Sequence, residues 1–98
     1  MRATRGTPRR TDANQKDIVR ALRQCGCSVL DLSAVGSGCP DILVSDREGV
    51  LHLMEIKIEK GKLNELQENF FETWRGRKPI VVRSVAEALH AVGIRLDI

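Results

Sequence analysis

The chain has 98 residues, 42% of them hydrophobic, with 16 Lys and Arg against 13 Asp and Glu for a formal charge of +3. That length suits one small domain, and the composition excludes disordered and collagen-like classes. No apolar run approaches the roughly 20 residues of a membrane-crossing helix, and no signal-peptide core follows the basic N-terminus, so the expectation is a cytoplasmic protein that makes no use of a membrane.

Arg2, Arg5, Arg9 and Arg10 crowd the first ten residues beside Gly6 and Pro8. Residues 1–11 therefore read as a flexible basic arm ahead of a single domain over residues 12–98. Two uses of the arm stand level: a solvated terminus, or contact of Arg9 and Arg10 with phosphates. Asp12, with Gln15 three residues on, reads as the cap of a first helix whose stripe is Ile18, Val19, Leu22 and Cys25. Gly26 closes that helix. Cys25, Cys27 and Cys39 are odd in number and form no Cys-x-x-Cys pair, which argues against a disulfide framework or a structural zinc.

Residues 28–32 read as a short strand, followed by the loop Val35-Gly36-Ser37-Gly38-Cys39-Pro40. Residues 41–45 and 50–58 read as two strands of a hairpin around the turn Asp46-Arg47-Glu48-Gly49. His52 falls within the second strand, where a structural role is expected. Asn64 reads as the cap of a second helix running to about residue 75, with Leu63, Leu66, Phe70, Phe71 and Trp74 as its buried stripe. Residues 79–83 form a last strand. Ser84 and Glu87 make an S-x-x-E capping box for a helix that ends at Gly93. The order αβββαβα predicts a mixed sheet flanked by helices.

A tight turn centred near Glu48 sets Asp41 across from Glu55, and cross-strand neighbours have Cβ atoms about 5 Å apart. Glu55 and Lys57, two apart, share a strand face with Leu51 and Leu53. Two carboxylates and an ammonium thus converge at the end of an apolar surface. Facing carboxylates repel, and burial makes both charges costlier. A hard divalent cation relieves this, with Asp41, Glu55 and the carbonyl of Ile56 as protein ligands. Lys57 would then stabilise developing charge. A salt bridge between Lys57 and one acid explains the residues equally well.

The string Gly38-Cys39-Pro40-Asp41 followed by Glu55-Ile56-Lys57 resembles the PD-(D/E)xK nuclease motif. From about Asn14 to Val92 the chain resembles the VRR-NUC family, the virus-type replication-repair nucleases. The resemblance includes the glycine loop, the helix start Leu63-Asn64-Glu65-Leu66-Gln67, and the final strand and helix. It implies an α/β restriction-endonuclease-like core and a Mg2+- or Mn2+-dependent phosphodiesterase. Asp41 and Glu55 would bind metal, and Lys57 would be the catalytic lysine.

Family members often place an acid on the first helix. Gln15 is the favoured equivalent here, and an amide there puts a second metal in doubt. Gln67 belongs to the capping box with Asn64, or faces the site to position Lys57, water or phosphate, with the second reading ahead. Ser37 and Gly38 are candidate phosphate contacts, with a plain turn as the equal alternative. The resemblance points to structured or four-way DNA, to phage-like replication and repair in a bacterial or phage-infected cell, and to a homodimer. The tail Ile94-Arg95-Leu96-Asp97-Ile98 alternates as an edge strand would at such an interface. The rival is a non-catalytic nucleic-acid-binding or assembly subunit that retains the fold.

Overall fold

The computed structural model describes residues 10–95, with side chains from Ala13 onward. Its elements are α1 (Arg10–Gln24), β1 (Ser28–Asp31), β2 (Ile42–Ser45), β3 (Leu51–Ile56), α2 (Glu65–Thr73), β4 (Ile80–Val82) and α3 (Val85–Ala91). The order is αβββαβα, as the sequence predicts. Arg9 and the side chain of Arg10 lie outside the described residues, as do residues 96–98 of the tail.

Helix α1 begins at Arg10, so Asp12 sits inside its first turn rather than at its cap. An acid in a first turn meets the same exposed N–H groups and helix dipole as a capping acid. Composition alone does not separate the two placements.

The sheet runs β1-β2-β3-β4, antiparallel across the first three strands and parallel between β3 and β4. Asp46 shapes the β2–β3 turn. Its Oδ1 accepts from the amides of Glu48 (2.8 Å) and Val50 (3.0 Å). Its Oδ2 lies 2.9 Å from Nε2 of the buried His52. The parallel return to β4 requires a crossover, which the segment containing α2 supplies.

Alternation along the strands gives the sheet two unlike faces. Ile42, Val44, Met54, Ile56 and Val82 pack against Ile18 and Leu22 of α1 and Ala88 and Leu89 of α3. Register places Leu30, Leu43 and Leu53 in one row across the opposite face, with Leu51 in the next. Leu30 remains 58% exposed and Leu51 54%.

Helix α2 lies on this second side but does not close it. None of its residues is buried, and Leu66 (60%) and Trp74 (44%) stay open to solvent. Phe70 and Trp74 stack on one another at 5.1 Å. Between them and the sheet runs an apolar groove of about 450 Å³, lined by Leu32, Leu43, Leu51 and Leu53. The expected buried stripe of α2 is thus an apolar face without full cover. Helical spacing marks which residues share a face, not what packs on it.

Candidate active site

The hairpin register pairs Leu43 with Leu53 and Ile42 with Met54. One further step brings Asp41 across from Glu55. Asp41 immediately precedes β2, just after Pro40, and turns its carboxylate onto β3, where Oδ2 accepts from the Ile56 amide at 2.7 Å. In an extended strand the N–H and C=O of one residue point to the same side. The Ile56 carbonyl therefore opens towards Asp41.

Glu55 is 2% exposed. Its Oε2 accepts from Gln67 Nε2 at 3.0 Å and lies 3.6 Å from Lys57 Nζ. Its Oε1 is buried and has no hydrogen-bond partner among the described residues. Burial pushes the Glu55 carboxyl up to about 7, and the neighbouring Asp41 carboxyl adds to the rise. Lys57 opposes the rise without cancelling it. Such a carboxyl is held near neutrality by its surroundings, with one oxygen left open.

Gln67 takes the capping-box role and also faces the candidate site, where its partner is Glu55 rather than Lys57. Its Oε1 accepts from the Asn64 amide while Asn64 Oδ1 accepts from the Gln67 amide, which completes a capping box on α2. Its Nε2 is thereby free to donate to Glu55. The amide is oriented by the helix cap and used at the carboxylate.

The glycine loop seats this arrangement. Gly38 has φ +81, and a Cβ there would overlap the carbonyl of Leu66 and crowd the Gln67 amide. The loop backbone thus packs directly on the first turn of α2. Gly36 (φ +78) meets nothing within 4 Å, and Ser37 (φ 57) is exposed at the tip. Of the two residues weighed for phosphate contact, Ser37 faces solvent and Gly38 faces the helix.

Gln15 makes no hydrogen bond to Asp41, Glu55 or Lys57 among the described residues. Its neighbour Asn14 reaches towards this side instead, donating from Nδ2 to the Arg83 carbonyl at 3.3 Å. Arg83, for which no local sequence signal existed, donates from one guanidinium nitrogen to the carbonyls of Glu59 and Gly61, each at 2.8 Å. Cys39 also borders the carboxylates, and burial pushes its thiol up, with the charges of Glu55 and Asp41 contributing.

No family model and no curated protein matches the sequence. Among solved structures, one described as a VRR_NUC domain is similar, with a TM-score of 0.63 and 26% identity over 84% of this chain and 92% of that one. The shared fold spans nearly the whole of both chains, and the hairpin register sets Asp41 of Pro40-Asp41 against Glu55 of Glu55-Ile56-Lys57. The chain thus shares the α/β fold of a VRR_NUC domain, and the likeness supports its placement among nuclease-family domains.

Proposed function

We propose that this domain hydrolyses phosphodiester bonds of DNA as an endonuclease, with Mg2+ or Mn2+ held by Asp41, Glu55 and the carbonyl of Ile56. The observation that supports it best is Glu55: buried, crowded by Asp41, and left with one oxygen unsatisfied. That is a costly arrangement for a fold and a suitable one for a hard cation, which prefers carboxylate and carbonyl oxygens. Among the described residues no group of three His, Cys, Asp or Glu could hold a metal ion. The donor set therefore fits one ion completed by water and phosphate better than two.

A bound cation would supply Lewis acidity to a water and positive charge for the phosphate. The chain supplies placement. Gln67 fixes Oε2 of Glu55 and leaves Oε1 open. The Ile56 amide fixes one oxygen of Asp41. Lys57 stands beside Glu55, where its ammonium stabilises negative charge developing on a phosphate oxygen.

The preference for branched or four-way DNA rests on the family resemblance. The homodimer rests on the resemblance and on the open leucine face beside α2, an apolar surface of the kind that marks association sites. One active site nicks one strand, so paired nicks on a branched duplex call for two sites related by a two-fold axis. Ile94 packs against the core and its amide donates to the Leu89 carbonyl, which turns the start of the tail inward.

The test is cleavage of linear, flapped, splayed and four-way DNA with Mg2+, Mn2+ or chelator, alongside sedimentation of the same samples. Metal-dependent cutting, strongest on the four-way substrate and by a dimer, is expected. Tight binding without cutting under both metals would favour the rival reading of a non-catalytic subunit, which the absence of a first-helix acid at Asn14 and Gln15 supports.

A further inference from the structure

We infer that Arg83 is a positioning residue for Lys57, acting as a clip on the turn that covers the lysine side chain. The inference rests on the nuclease reading for its kinetic consequence and on geometry for its origin. Strand β3 ends at Ile56, so Lys57 is the first residue beyond the sheet. Its amide still bonds the Val82 carbonyl at 3.1 Å, which fixes its backbone. Its side chain has four rotatable bonds and, without cover, would wander.

The cover is the turn at residues 58–61, closed by the Gly61 amide on the Ile58 carbonyl at 2.8 Å. Gly61 backs onto the lysine: a methyl group there would stand 3.7 Å from both Cβ and Cδ of Lys57. The lysine side chain is accordingly only 19% exposed. The turn is not relaxed by itself. Glu59 takes φ 44, an uncommon region for a residue with a side chain. Such a conformation persists where surrounding contacts over-determine it.

Arg83 provides two of those contacts, to the carbonyls of Glu59 within the covering segment and Gly61 at its end. Arg83 is itself held from both sides. Its amide donates to Glu87 Oε1 at 2.8 Å, and its carbonyl accepts from Asn14 of α1. The S-x-x-E box at the start of α3 is thereby shifted by one residue: Ser84 accepts from the Glu87 amide, but Glu87 returns its carboxylate to Arg83. Glu87 of α3 and Asn14 of α1 thus anchor the backbone that carries the guanidinium, whose bonds reach the turn over the lysine.

The test uses the full chain, the four-way DNA and saturating Mg2+. Arg83→Gln should lower kcat about 10-fold, as small misplacements of a reacting group do, with KM and the metal concentration dependence unchanged. Arg83→Lys, which can still donate to both carbonyls, should recover most of the loss. In a Lys57→Met background the Arg83→Gln change should cost nothing further, because the group it positions is gone.

Losses that multiply, a wild-type kcat for Arg83→Gln, or an effect confined to KM would each overturn the clip. Hydrogen exchange provides a readout independent of cleavage. Arg83→Gln should speed exchange at the Gly61 amide while β3 stays protected, and unchanged exchange there overturns the clip. If the wild type cuts no DNA with either metal, the nuclease reading fails, and the clip is judged on exchange alone.

Discussion

The two ends of the β2–β3 hairpin each set a part-buried aspartate beside a buried partner, and they are built on opposite principles. At the turn, Asp46 receives two backbone amides and His52, and its carboxyl is held down at about 2 by His52 first and the Val50 amide next. At the far end, Asp41 faces Glu55, and burial and like charge drive Glu55 up to about 7 with Oε1 unsatisfied. One end satisfies its charge within the chain. The other stores an unfavourable charge that only something from outside relieves. The same strands therefore separate a satisfied charge from an unsatisfied one, the kind of contrast that marks candidate functional sites.

The largest break in this contrast comes from Glu55→Gln or Asp41→Asn. Cleavage should fall by about 10³-fold or more, since cation binding and charge stabilisation go together. Without divalent metal the melting temperature should hold or rise, because the carboxylate repulsion is gone. A folded variant that cuts at the wild-type rate would remove these residues from the site.

A second effect follows from the sign of the Glu55 shift. A carboxyl whose folded value is raised favours folding while protonated. Its contribution is complete below the ordinary glutamate value and is lost as pH rises through about 7. Melting temperature in chelator should therefore decline between about pH 5 and about pH 8, and Mg2+ should restore it most at the upper end. Glu55→Gln should flatten this dependence. A flat wild-type profile would mean that the Glu55 charge is compensated inside the fold.

The smallest effect on activity should come from the satisfied end. Asp46 is depressed, so its contribution is present above the ordinary aspartate value and fades only as pH falls through about 2. Asp46→Ala removes the partner of two turn amides and of buried His52, and should lower the melting temperature by several degrees at neutral pH. Cleavage of the folded fraction should stay within about twofold, as expected for a site beyond coupling distance.

The sequence made the hairpin legible because its register follows from a composition-marked turn and a period of two. Those two facts place Asp41 across from Glu55, and Lys57 follows by its spacing from Glu55. His52 was legible only as structural, since its partner six residues back in the turn has no motif. Gln67 was legible as a cap or a site-facing amide, and its side chain does cap α2 while also bonding Glu55, a partner the sequence had not named. The open face of α2 was not legible, because periodicity reports apolar spacing and not what lies opposite. Arg83 was not legible at all. Its acceptors are two main-chain carbonyls more than twenty residues away, and any residue type can offer a carbonyl.

The two glycines that flank Ser37 answer to different authorities. At Gly36 the constraint is its own dihedral angle, with empty space beyond, so asparagine, which tolerates left-handed backbone, is a plausible replacement there. At Gly38 the constraint is the main chain of a helix far along the sequence, and no choice of side chain relaxes a backbone carbonyl. A substitution at this half-buried loop position would lift α2 and withdraw Gln67 from Glu55. Gly38 is thus a position where a mutational scan would register loss of activity at a residue that has no functional group.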